Sequence, residues 1–255
     1  MKIEQVALQL YTLREHLGTA DAIASSLRKV AAIGYKAVQV SGMGKIEESD
    51  LLAILDGEGL ALCATHEPGQ TILSEPAAVV ERLQKLHCKY TAFPAPAGVD
   101  LTDRAQVEQL ARQLDHAGQV LHAAGQVLTY HNHATELMRL GEETVLDYLY
   151  RQTDPRYLQA EIDTYWIQYA GGDPVAWCQK LFGRLPLLHL KDYRITAKNV
   201  PDFAEIGSGN LNWRAIISAA EASGCEWFIV EQDSCPGDPF ESAQMSFDYI
   251  AAHLC

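Results

Sequence analysis

The sequence predicts an α/β chain closed into a (β/α)8, or TIM, barrel, on three observations. Short β-rich apolar runs alternate with longer amphipathic segments, eight times over. Strict alternation implies a parallel sheet, since parallel strands need crossover connections. Eight units within 255 residues fit one closed barrel, a single domain over 1–255, better than an open sheet. The first run, "LQLYTLREHLG", also lacks the G-x-G-x-x-G turn of a dinucleotide-binding sheet.

The elements follow in order. "QVALQLYT" (5–12) is the first strand, and the helical pattern 20–33 stops at Gly34. "AVQVSG" (37–42) is the second, with a helix over 48–57. "LALCATHEP" (60–68), ended by Pro68, is the third, and "KYTAFPAP" (89–96) is the fourth. A long helix over 103–124 leads to "QVLTYHNH" (126–133), the fifth. "YLQAEID" (157–163) is the sixth, after which Asp173-Pro174 reads as a helix N-cap and first turn. "LPLLHLKD" (185–192) and "CEWFIVEQD" (225–233) complete the set, and a last helix spans 239–254.

Composition removes several function classes. A formal net charge of −13 opposes a nucleic-acid binder, which needs clustered Lys and Arg. No apolar stretch is long enough for a membrane span, and "MKIEQVALQLYTLREHLG" carries charge too early for a secretory signal. The six cysteines form no C-x-x-C pair and sit partly inside apolar runs, as expected of reduced thiols in a cytoplasmic protein. H-E-x-x-H and G-x-S-x-G are both absent, which argues against a zincin protease and an acyl-enzyme hydrolase.

In a parallel barrel the chemistry gathers at the C-terminal ends of the strands. Those ends carry Gln9 and Tyr11, Gln39, His66 and Glu67, Phe93, His131 and His133, Glu161 and Asp163, His189 and Lys191, and Glu231 and Asp233. Residues two apart on a strand share a face, so four strands can each aim a pair of polar groups into the mouth. A lone strand-end His or carboxylate is more often structural, and Asp103 and Asp192 read as such cases, most simply helix N-caps. Convergence of titratable groups from several strands is costly without an ion or substrate to meet them, and points to a shared metal site. Imidazole and carboxylate donors without thiolate suit Mn, Mg, Co or Zn.

In this order, "LQLYTLRE", "YHNHATEL", "EIDTYWIQYAGGDPV", "LLHLKDY", "EIGSGNLNW" and "WFIVEQD" resemble the xylose isomerase-like TIM barrels, within them the sugar phosphate isomerase/epimerase group. The resemblance runs over essentially the whole chain and implies a divalent metal held by one ligand from each of strands five to eight. Asp163, His189 and Glu231 match three of those ligands. Strand five departs: His131 of "HNH" stands where many relatives carry a glutamate. His131 is the expected fourth ligand, with three residues plus water, or Glu161, as alternatives. The resemblance implies proton abstraction next to the carbonyl of a keto-sugar, keto-glycoside or keto-inositol, with Glu231, His131 and Lys191 as catalytic groups. Substrate contacts are expected from Gln9, His66, His133, Glu136, Trp166, Lys191 and Asp233, with a loop-stabilising role as the alternative for Glu136. Epimerisation, isomerisation and inosose dehydratase-type elimination all fit, as does a non-catalytic sugar-binding barrel. A metal-dependent nuclease fits the charge poorly. The expected partner is a small sugar or cyclitol, with no nucleic acid or membrane and with homo-oligomerisation left open.

Overall fold

The computed structural model describes residues 1–255. Eight parallel strands close into one barrel: β1 (Val6–Gln9), β2 (Ala37–Val40), β3 (Ala61–His66), β4 (Tyr90–Phe93), β5 (Val127–His131), β6 (Leu158–Asp163), β7 (Leu187–Leu190) and β8 (Trp227–Val230). Their order is cyclic, and β1 closes the ring by pairing Ala7 with Ile229 of β8. The predicted (β/α)8 barrel is therefore the observed fold.

The alternation along each strand divides the molecule into layers. Outward residues such as Leu8, Val38, Leu128, Ile162, Leu188 and Phe228 join the surrounding helices in a core of 57 buried residues. Full burial of each such side chain contributes about 1.5–3 kcal/mol. Inward residues start apolar and turn polar two positions later. Ala7, Ala37, Leu187 and Ile229 belong to a plug of small and apolar side chains. Gln9, Gln39, His189 and Glu231 follow at i+2 and are buried just above it. A period of two thus carries each strand from a dry floor to a polar mouth.

The helix limits were well marked. The helix Ala20–Ile33 ends on Gly34 at φ 126°, and Asp103 caps the helix Arg104–Ala123 by accepting from Ala105 N at 2.9 Å. Asp173 caps Pro174–Lys180 as expected. The first run, by contrast, is strand only as far as Gln9; Leu10–His16 then coils into a 3-10 segment. Two short antiparallel hairpins, Arg139–Leu140 with Glu143–Thr144 and Asp192–Ile195 with Pro201–Ala204, extend the loops after β5 and β7. All six thiols are free, four of them buried. No helix is long and apolar enough to cross a membrane.

Candidate metal centre

The ends of β5 to β8 bring four side chains together. Asp163 ends β6, and its Oδ1 accepts from Trp166 N at 3.0 Å, capping the helix Thr164–Tyr169. That bond fixes the carboxylate and leaves Oδ2 buried without a hydrogen-bond partner. His189 points inward from β7, with Nδ1 2.9 Å from Glu231 Oε2 and 3.9 Å from Asp163 Oδ2. Glu231 lies just beyond β8. His131, the last residue of β5, places Nε2 3.9 Å from Asp163 Oδ2. One donor atom from each of His131, Asp163, His189 and Glu231 lies within 4.8 Å of the others. A buried carboxylate oxygen with no hydrogen bond, facing two imidazoles, a second carboxylate and the Lys191 ammonium, fits a divalent ion, and the donors suit a hard or borderline metal.

Lys191 stands beside this group, buried to 1% exposure. Its ammonium lies 2.9 Å from Glu231 Oε2, 2.9 Å from Asp233 Oδ1 and 3.3 Å from Asp163 Oδ2. Lys191 is thus held in an ion pair that three carboxylates share. Thr164 ties the two strand ends, accepting from Lys191 N at 3.0 Å and donating to the carbonyls of His189 and Lys191.

These contacts set the charge states. Burial works against a charged His189, but Glu161 and Glu231 outweigh it and hold its pKa at about 10. Burial pushes the Asp163 carboxyl up to about 6, with Lys191 opposing and Glu231 reinforcing the rise. Burial also opposes the charged forms of Glu231 and Lys191. The attraction of Lys191 and His189 nevertheless keeps Glu231 well below the usual range, and Asp163, Glu231 and Asp233 raise Lys191. His131 is depressed well below its usual value, first by burial and then by His189. The centre therefore offers one neutral imidazole beside one that holds its proton tightly.

The mouth above is a cavity of about 370 Å³ lined by Tyr11, Arg14, Ser41, His66, Pro94, Ala95, His131, His133, Lys191, Glu231 and Asp233. Four expected contacts, His66, His133, Lys191 and Asp233, line it. Trp166 stands behind them, its ring 5.6 Å from His133 and 5.5 Å from Lys191 Nζ. Two expected contacts are placed elsewhere. Gln9 is fully buried below the mouth, donating to Gln39 Oε1 at 2.9 Å and accepting from Tyr11 N at 3.3 Å. Glu136 accepts from Tyr130 Oη at 3.0 Å, His133 N at 3.0 Å and Thr135 Oγ1 at 2.9 Å, so its carboxylate holds the loop in the alternative role. Asp192 is structural as read, but it caps no helix: it accepts from the amides of Gly207 and Gly209 and from Trp213 Nε1. Asn212 caps the helix Trp213–Ala222 instead.

Sequence reasoning missed Arg14 and Asn132. Arg14 donates to the Asp233 carbonyl at 2.9 Å while covering the Tyr11 ring at 4.4 Å. Its place in "LQLYTLRE", three residues past Tyr11, was the available signal. Asn132 Oδ1 accepts from Asp163 N at 3.0 Å, fastening β5 to the end of β6.

The fold and the site together define a closed parallel α/β barrel whose C-terminal mouth gathers His and carboxylate side chains that could hold a metal ion. The family model for the xylose isomerase-like TIM barrel matches residues 27–252, and the chain belongs to that family. It is similar to an inosose dehydratase of Geobacillus thermodenitrificans, 29% identical over 154 residues, 54% of this chain and 51% of that protein. The match thus spans about half the length of that relative. Among solved structures, a sugar phosphate isomerase/epimerase of Parabacteroides distasonis superposes with TM-score 0.84 at 23% identity, covering 98% of this chain and 99% of that one. A xylose isomerase-like TIM barrel protein of Mycobacterium smegmatis in complex with magnesium gives TM-score 0.75 at 14% identity, covering 97% and 95%.

Proposed function

We propose that this chain is a divalent-metal-dependent isomerase or epimerase that moves a proton next to the carbonyl of a keto-sugar, keto-glycoside or keto-inositol. The observation that carries this reading is the convergence of His131 Nε2, Asp163 Oδ2, His189 Nδ1 and Glu231 Oε2 beneath an open polar cavity. These four would hold the ion, which when bound supplies a Lewis acid for the substrate carbonyl.

Glu231 remains ionised because Lys191 and His189 face it, and it is the carboxylate at the cavity placed to take the α-proton. His131 is neutral, as a ligand to the ion must be. Lys191 is too strongly held in its charged form to act as a proton donor. Its ammonium instead stabilises negative charge developing on a substrate oxygen. His66, His133 and Asp233 border the cavity and would orient hydroxyl groups, with Trp166 packed behind them.

A second reading, elimination of water from a keto-inositol, is favoured by the similarity to an inosose dehydratase. The same proton abstraction serves both; they differ in whether a β-hydroxyl leaves. Metal-loaded protein incubated in D₂O with ketoses, 3-keto-glycosides and inososes tests the proposal. Deuterium at the carbon next to the carbonyl is expected, and loss of water would select the lyase reading. No exchange and no product with any metal-loaded sample would refute both.

A further inference from the structure

Beneath the four converging donors lies a carboxylate that the proposed chemistry leaves unused. Glu161 is fully buried two residues before Asp163 on the same face of β6. Its Oε2 accepts from Gln39 Nε2 at 2.6 Å. Its Oε1 lies 2.6 Å from His66 Nε2, 3.1 Å from His189 Nε2 and 3.2 Å from His131 Nδ1. Each of the two central imidazoles is therefore suspended between carboxylates. His131 turns Nε2 to Asp163 and Nδ1 to Glu161; His189 turns Nδ1 to Glu231 and Asp163 and Nε2 to Glu161.

We propose that Glu161 is a positioning residue that aims both His131 and His189, fixing which ring nitrogen of each is presented to an ion. The inference rests on the metal reading given above. Glu161 faces Nδ1 of His131 and Nε2 of His189, and a carboxylate keeps a hydrogen on the nitrogen it faces. When an ion displaces the proton shared with Asp163 and Glu231, the opposite nitrogens, His131 Nε2 and His189 Nδ1, are the ones presented to it. The two rings are not held equally. His189 Nε2 also donates to Gln39 Oε1 at 2.7 Å, whereas His131 Nδ1 is buried with no aligned hydrogen bond, its nearest acceptor being Glu161 Oε1 at 3.2 Å. His131 therefore depends on Glu161 more than His189 does.

The same atoms admit a rival arrangement, because His66, His131, Glu161 and His189 also bring one donor each within 4.8 Å. Two features oppose a second ion there. Ligands about 2.0–2.2 Å from one ion sit roughly 3 Å apart or more, yet His66 Nε2 and Glu161 Oε1 are separated by 2.6 Å, a hydrogen-bond distance. His131 and His189 would also have to bridge two ions through both nitrogens, and His189 Nε2 already donates to Gln39.

The test measures metal binding and ring state, independently of turnover. Wild type, Glu161→Gln and Glu161→Ala are stripped and titrated with Co²⁺ and Zn²⁺, with bound metal counted per chain. Tautomers are read from ¹⁵N-histidine shifts of the Zn²⁺ form, and thermal melting of the metal-free proteins reports folding. One ion per chain is expected in all three. Removal of such an outer carboxylate typically weakens binding about 10–100-fold, and that loss is expected for Glu161→Ala, with an altered visible Co²⁺ spectrum and loss of the fixed His131 tautomer. Glu161→Gln, which keeps one acceptor oxygen, should restore part of each and stands in if the alanine variant fails to fold. Equal affinity, spectrum and tautomers in both variants would overturn the inference alone. Two ions in wild type falling to one in the variants would overturn it in favour of Glu161 as a ligand. A wild type that binds no ion would remove the metal reading and this inference with it.

Discussion

Asp192 provides a test of how the barrel holds its mouth open in one shape. The carboxylate is 1% exposed and gathers five donors. Oδ1 accepts from Tyr193 N at 2.8 Å and Leu211 N at 3.4 Å; Oδ2 accepts from Gly207 N at 2.9 Å, Gly209 N at 3.1 Å and Trp213 Nε1 at 2.8 Å. Asp192→Ala strips all five of a charged acceptor. Hydrogen bonds to a charged group contribute about 1.5–3 kcal/mol each, but not additively. The loop amides can turn to water, whereas the indole N–H of buried Trp213 cannot. The expected destabilisation is therefore about 3–5 kcal/mol, or roughly 6–20 °C in Tm for a chain of this size. Asp192→Asn should recover less than half, because its NH₂ must face donors on one side or the other. Urea and thermal unfolding of the metal-free protein measure this. A Cβ on Gly209 would meet Asp192 Oδ1 at 2.3 Å, so Gly209→Ala should cost less in the Asp192→Ala background than in wild type. A loss below about 1 kcal/mol for Asp192→Ala, or strict additivity with Gly209→Ala, would refute the clamp.

Gly118→Ala would set a Cβ 2.0 Å from the Tyr157 carbonyl, so the helix Arg104–Ala123 must back away from the start of β6; a loss of about 1–3 kcal/mol is expected in chemical denaturation, and an unchanged midpoint would count against the packing. His189 keeps its proton up to about 10 in the metal-free protein, and an incoming ion must displace it. Metal affinity should therefore rise about tenfold per pH unit towards pH 10, with a second proton released below about 6 where Asp163 is also protonated. Calorimetry in buffers of differing ionisation enthalpy should count one proton released at pH 8, and none would refute it. His131→Ala should weaken metal binding about 10-fold or more, while His131→Glu retains the ion; wild-type affinity in the alanine variant would make His131 purely structural.

The barrel was legible because its signal is repeated: eight runs of period two, closed by Gly, Pro and Asp punctuation at helix ends. His131, Asp163, His189 and Glu231 were legible because they are strand-end residues, and the parallel fold sends all such ends to one mouth. Gln9 was misplaced by the same rule. Its strand gives way after it to the 3-10 segment Leu10–His16, so Gln9 lies below the rim and Tyr11 and Arg14 reach the cavity instead. Glu136 and Asp192 show a different limit. Their partners are mostly backbone amides and a tyrosine or tryptophan, groups every chain has, so nothing in residue type marks a loop-holding carboxylate. The hairpin Asp192–Ile195 with Pro201–Ala204 escaped notice because four-residue strands around a turn carry too little periodicity.

The segment "YHNHATEL" gathers these roles into one stretch. Tyr130 and Glu136 fasten the loop, Asn132 fastens β5 to Asp163, and His133 borders the cavity. That leaves His131, whose register partner on β6 is Glu161. A glutamate at 131 would set a carboxylate directly beside Glu161, with Asp163 close by. The buried site would then hold another negative charge with no added cation besides the ion itself, and like charges in a low dielectric repel strongly. A histidine there avoids that repulsion and gives Glu161 a donor to hold. A histidine on β5, where the resemblance leads one to expect a glutamate, and the buried glutamate on β6 thus make physical sense as a pair.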